Sequence, residues 1–178
     1  LPPGLSLGEV QRVDCSGLVV APGFIDVHTH DDAIVLEAPQ MTPKLSQGVT
    51  TVVTGNCGLS VAPLVADEPT GALTLLGRAF LYATMTAYAQ AVEQARPAVN
   101  VAPLVGHTTL RAACMGDLSR PASAAQLEAM CNLLDSCLRD GASGRSSGLF
   151  YAEAMPAPAA EVTALARVVA RHQGVYAT

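Results

Sequence analysis

The sequence predicts an α/β protein built on a parallel sheet, and three observations carry that expectation. Short β-branched or apolar runs alternate with longer amphipathic segments, the pattern of strand, crossover helix and strand. Groups suited to metals or substrates recur just after those runs: His28, His30, Cys57, His107 and Ser146. Parallel strands put their ligand sites at the C-terminal edge, so one rim of one sheet collects them all. Finally, 50% of the 178 residues are apolar and 14% charged, which implies much buried strand and helix surface. A (β/α)8 barrel takes about 250 residues, and strands can be counted here for little more than half of one.

In chain order, Glu9–Cys15 and Gly17–Val20 are short β runs broken by glycine, expected as edge-type strands with Cys15 a packed thiol. Phe24–Val27 follows a Pro22-Gly23 turn and reads as a buried strand. Ile34–Gln47 reads as a loop with a short helix over 42–47, Thr42 capping it ahead of Pro43 and Gly48 closing it. Val49–Thr54 is β-branched throughout, the second strand. Ser60–Leu76 holds Pro63, Pro69 and Gly71 and is expected as a long loop or broken helix. A helix over 83–95, with Tyr88, Val92 and Ala95 on one stripe, ends before Pro97, and Val99–Val105 is the third strand.

The clearest helix is Ser123–Asp140. Ser123 and Gln126 form a capping-box pattern, and Leu127, Met130, Cys131, Leu134, Cys137 and Leu138 follow one apolar face. That spacing makes Cys131 and Cys137 core residues. A fourth strand is expected over 142–146 and a helix over 159–173 with Val162, Leu165, Ala166 and Val169 inward. A fifth strand begins after Gly174.

Side chains alternate along a strand, so His28 and His30 share a face from which Thr29 is excluded, the placement needed for two imidazoles to share a metal ion. The alternative is a pair of pocket or capping histidines. Gly55-Asn56-Cys57-Gly58 is a sharp turn that presents a sulfur at the same rim. Cys57 reads as a metal ligand, as a nucleophile with His107 as its base, or as a buried thiol. Asp32 reads as the acceptor of a proton from a ligating imidazole, as a cap, or as a solvent-facing residue. His107 orients a ligand or is structural, and Ser146 lines the substrate or satisfies a turn. His172, near a helix end, reads as surface or as a C-terminal cap.

The net charge of −5, without a basic stripe, argues against nucleic acid as a partner. No apolar run is long enough to span a bilayer, and the N-terminus lacks a basic, hydrophobic signal region. Five cysteines without a Cys-x-x-Cys pair suit a reducing cytoplasm. The oligomeric state is left open.

The run Pro22-Gly23-Phe24-Ile25-Asp26-Val27-His28-Thr29-His30 resembles the amidohydrolase superfamily, and more narrowly the N-acyl-D-amino-acid deacylases (D-aminoacylases). Gly48–Gly58, Leu104–Arg111 and Gly141–Tyr151 match in family order. The resemblance implies the N-terminal half of a (β/α)8 TIM-barrel amidohydrolase over 23–178, preceded over 1–22 by the end of a small β-sandwich. It implies hydrolysis of the N-acyl amide of a small-molecule N-acyl-D-amino acid by zinc-activated water, releasing a carboxylate and a D-amino acid. It makes Cys57 a ligand of one tight Zn2+ site, and His28 and His30 the lining of a second, weaker position. The histidines that complete the tight site, the aspartate base and the carboxylate-binding arginine are expected beyond Thr178, so no catalytic base is assignable among these residues. Arg145 and Ser147 depart from the apolar residue and threonine that relatives often carry. The alternatives are a dihydroorotase- or hydantoinase-like cyclic amidohydrolase, against which the missing fourth-strand lysine counts, and an incomplete, inactive chain serving as a structural partner.

Overall fold

The computed structural model describes residues 12–65, 69–76 and 81–178. Five strands, β1 (Phe24–Asp26), β2 (Val49–Thr54), β3 (Asn100–Gly106), β4 (Gly144–Ser146) and β5 (Val175–Ala177), form one sheet in sequence order. Every pairing is parallel; Val52 is matched to Asp26 on one side and Val101 on the other, and Gly144 to Leu104 and Val175. The connections carry α1 (Ile34–Glu37), α2 (Thr42–Leu45), a 3₁₀ turn at Gly71–Leu76, α3 (Met85–Ala95), α4 (His107–Cys114), α5 (Ala124–Arg139) and α6 (Ala159–Arg171).

The core lies between the sheet and these helices. Met85 and Tyr88 of α3, Met130 and Leu134 of α5, and Leu165 and Val169 of α6 close on Val52 and Val105 of the strands. The predicted capping box is formed: Ser123 Oγ accepts from Gln126 N–H while the Gln126 side chain accepts from Ser123 N–H. The apolar stripe of α5 turns Cys137 into the core, where burial pushes its thiol up to about 12. The opposite face of the sheet borders a cavity of about 550 Å³ lined by His28, Asn56, Leu104 and Tyr176, among others.

Several expectations are corrected. Phe24, Ile25 and Val27 are 66%, 60% and 67% exposed rather than buried, because β1 has only β2 beside it among the described residues. Gly17–Val20 is not a strand; a turn at Ser16–Gly17, closed by Leu18 N–H donating to Cys15 O (2.9 Å), leads into an exposed segment, and Cys15 is half-buried. Of the run over 9–15, residues 9–11 lie outside the described residues, and 12–15 form no strand. The helix at 42–45 is preceded by Met41 as its N-cap, with Thr42 inside it and without a side-chain cap. His107 directly follows β3, as expected, but begins α4 with no loop between, a helix not expected from the sequence. No helix is expected from the sequence between Val105 and Ser123, where the β-branched Thr108 and Thr109 are weak helix formers.

Candidate metal centre

Past β1 burial alternates over residues 28–30. Thr29 turns inward to 7% exposure while His28 and His30 stay exposed, their ring centroids 5.9 Å apart and their planes at 73°. Past β2 the chain reverses within Gly55–Gly58. Gly55 and Gly58 have φ of 74° and 76°, and a Cβ on either would overlap backbone, of Leu104 and Gly148 respectively. Glycine is required twice here, for conformation and for space. Cys57 sits between them at φ 55°, a left-handed conformation that non-glycine residues seldom adopt. The turn brings Cys57 Sγ to 3.1 Å from His28 Nε2. Ligand atoms of His28, His30 and Cys57 all lie within 4.8 Å of one another. With zinc bonds of about 2.0–2.1 Å to nitrogen and 2.3 Å to sulfur, one ion is within reach of all three after small side-chain adjustment. Two imidazoles and a thiol form a zinc-type donor set.

Two polar groups fix this geometry from behind. Asn56 Nδ2 donates to Val53 O (2.8 Å) and to Thr29 O (3.3 Å), linking the cysteine turn to the residue between the histidines. Lys44 Nζ donates to Asp26 (2.6 Å) and Thr29 Oγ1 (3.3 Å) and lies 3.0 Å from Asp31 Oδ2, gripping both flanks of the histidine pair. The Lys44 ammonium holds the Asp26 carboxyl below its ordinary value.

Asp32 is buried and forms no hydrogen bond to either imidazole; Oδ2 has no partner, and burial pushes the carboxyl up to about 6. Its backbone carbonyl accepts from Tyr88 Oη–H at 3.0 Å. With His30, Leu59 and Leu76 it borders a cavity of about 270 Å³ beside the histidines.

His107 is fully buried, and its Nε2 lies 2.8 Å from Glu161 Oε1. Arg111, one turn further along α4, donates through Nη1 to both Glu161 oxygens (2.7 and 2.9 Å) and through Nη2 to Leu118 O and Arg120 O. His107 therefore belongs to a buried triad, and the Cys57–His107 nucleophile pair is not formed. Ser146 is also fully buried: Oγ donates to Gly55 O and accepts from Gly58 N–H (2.9 Å), so it braces a turn and lines no wall. Ser147 Oγ meets Tyr176 Oη (2.8 Å) and Thr178 Oγ1 (3.0 Å), and the buried Arg145 guanidinium stacks 4.4 Å from the Tyr176 ring centroid. His172 follows α6 and bonds Asp135 on the outside of the helix layer.

Reasoning from sequence missed Lys44, Arg111 and Glu161. Glu161 carried a signal, since it lies four residues before Leu165 on an inward stripe and a carboxylate there demands a cationic partner. Arg111 shares a helix face with His107 at i, i+4. Lys44 carried none.

Residues 11–177 match the family model described as Amidohydrolase family. The chain is 50% identical over 169 residues to the D-aminoacylase of Alcaligenes xylosoxydans xylosoxydans, covering 94% of this chain and 35% of that protein. It superposes with a TM-score of 0.85 and 52% identity on a D-aminoacylase structure concerned with the role of a binuclear metal centre, covering 88% of this chain and 34% of the other. It superposes with a TM-score of 0.83 and 47% identity on an N-acyl-D-glutamate deacylase from Bordetella bronchiseptica complexed with zinc and a phosphonate inhibitor, covering 87% and 33%. The chain thus spans about a third of the length of these relatives.

Proposed function

The chain belongs to the amidohydrolase family, and from that premise we propose that it carries the metal-binding rim of a zinc-dependent N-acyl-D-amino-acid deacylase. One observation carries the reading: His28, His30 and Cys57 converge at the C-terminal edge of five parallel strands. The sheet fits part of a (β/α)8 barrel, with residues 23–178 as the barrel segment. Support for the chemistry comes from the relatives, one a D-aminoacylase and another holding zinc with a mimic of the tetrahedral intermediate.

Cys57 contributes a thiolate to the tight site, and His28 and His30 line a second, weaker position beside it. Bound there, zinc supplies Lewis-acid polarisation of the amide carbonyl and activation of water. The chain's own residues hold and aim the ligands: Asn56 and Lys44 fix the histidine segment, and the glycine turn fixes the sulfur. The exposed rims of both histidines leave access for a small N-acyl-D-amino acid. No helix among the described residues is long and apolar enough to cross a membrane, and five free cysteines fit a cytoplasmic setting.

The 3.1 Å His28–Cys57 contact also suits a thiolate–imidazole nucleophile, and one experiment separates the two. In the full natural chain that contains these residues, Cys57→Ala is expected to remove most bound zinc and most deacylase turnover. A chelator should abolish wild-type activity, and added zinc should restore it. Retained zinc stoichiometry and turnover in Cys57→Ala overturn the ligand assignment; chelator-resistant activity lost only with the cysteine points to the nucleophile.

A further inference from the structure

We propose that Ser146 is a positioning residue for the metal ligand Cys57: its single hydroxyl ties together the Gly55 carbonyl and the Gly58 N–H, which bracket Asn56-Cys57, and so sets where the sulfur points. The inference deepens the reading of Cys57 as a ligand and rests on it.

The turn between β2 and the following loop has no regular hydrogen-bond ladder to hold it. Cys57 occupies a left-handed backbone conformation at φ 55° between two further left-handed residues, Gly55 and Gly58. Such a run holds its shape only when its surroundings determine it. Ser146 Oγ reaches it from β4, two strands away in the sheet, across a sequence separation of 88 residues to Gly58. The hydroxyl donates to the Gly55 carbonyl at the start of the turn and accepts from Gly58 N–H at its end. The hydroxyl's one donor and one of its acceptor positions are used, at 0% exposure, on the two residues that bracket the cysteine and its neighbour Asn56. The Gly58 carbonyl is held in turn by Thr108 N–H (2.9 Å). Backbone closes the remaining space, since a Cβ at Gly58 would meet Gly148 N at 2.8 Å.

Without the hydroxyl, Gly55 O and Gly58 N–H are buried without that partner. The turn can satisfy them only by rotating peptides, and rotation about Cys57 swings the sulfur away from His28. The serine touches no ligand atom and no substrate. Its effect passes through the cysteine, and that gives it a distinguishable signature. Groups that orient metal ligands typically change metal affinity by about 10- to 100-fold when removed.

The test is made in the full natural chain. Zinc affinity is measured by chelator competition for wild type, Ser146→Ala, Cys57→Ala and the double variant, with the cobalt-substituted protein scanned for its thiolate charge-transfer band. Circular dichroism of the metal-free proteins reports folding. Ser146→Ala is expected to weaken zinc by about 10- to 100-fold and to shift or weaken the cobalt–thiolate band. It should add nothing in the Cys57→Ala background. Ser147→Ala, whose hydroxyl bonds Tyr176 and Thr178 and not the turn, is expected to leave zinc affinity and the band as in wild type.

A folded Ser146→Ala protein with wild-type zinc affinity and an unaltered band overturns the proposal, as does an equal loss with and without Cys57. Should the alanine variant not fold, Ser146→Cys, close in size with a weaker donor and acceptor, takes its place under the same criteria. If Cys57→Ala itself leaves zinc in place, the ligand reading fails; if it removes zinc while Ser146→Ala does not, only the positioning inference fails.

Discussion

Two histidine clusters lie along the same edge of the sheet and have opposite characters. At the rim, His28, His30 and Cys57 point their ligand atoms at one another, with both rings exposed. Behind β3, His107 shares Glu161 with Arg111, all three nearly or fully buried and the carboxylate bonded on both oxygens. The residue types alone do not tell a site from a strut. What separates them is unfilled valence facing water at the rim, against ion pairing and burial behind it. The rim leaves its imidazoles open to solvent; the triad's shared carboxylate welds α4 to α6.

The sharpest way to break this comparison is to remove the shared carboxylate. Glu161→Ala leaves the Arg111 guanidinium buried beside His107 without its partner, and is expected to destabilise the fold by about 3–5 kcal/mol. Zinc stoichiometry per folded molecule should be unchanged. Urea unfolding and metal analysis check both halves, and a variant of wild-type stability would show that the triad is not the strut described.

Acid sharpens the same contrast. Burial lowers the His107 pKa from its ordinary 6.5, so the unfolded chain binds a proton there that the fold resists, and stability falls as pH drops from about 6.5. Burial alone raises the Glu161 carboxyl, but His107 and Arg111 outweigh it and hold it at about 2, against an ordinary 4.5. Its contribution is complete above 4.5 and is lost as pH falls through about 2, an effect on the order of 3 kcal/mol. Urea midpoints measured from pH 7 to pH 3 should decline continuously, and Glu161→Gln should flatten the part below pH 4.5. A flat wild-type profile contradicts the assignment.

The smallest effects belong to exposed groups. His28→Ala in the metal-free protein is expected to change stability by no more than ~0.5 kcal/mol. Arg139→Ala, which removes a surface pairing with Asp135 at i, i+4, should cost about 0.3–0.5 kcal/mol in thermal unfolding. A large loss at either position would erase the distinction between rim and strut.

The rim was legible because its signals are local. Period-two alternation places His28 with His30, and flanking glycines mark Cys57 as a turn residue. The α5 helix was legible for the same reason, its cap and apolar stripe lying within one segment. What stayed hidden depends on partners distant in sequence. Nothing near Ser146 states that its hydroxyl will meet a turn 88 residues earlier, and Arg111 finds Glu161 50 residues away. The apolar run Phe24–Val27 reads as buried because hydropathy cannot report that β1 has a neighbour on one side only among the described residues.

The backbone at residue 57 also bears on how this site can evolve. Its φ of 55° is open to Asp and Asn, which visit that region several-fold more often than most residues, and strongly disfavours Val, Ile and Thr. A drift toward harder cations, such as manganese, therefore has one short mutational route: a carboxylate in place of the sulfur, on an unaltered main chain.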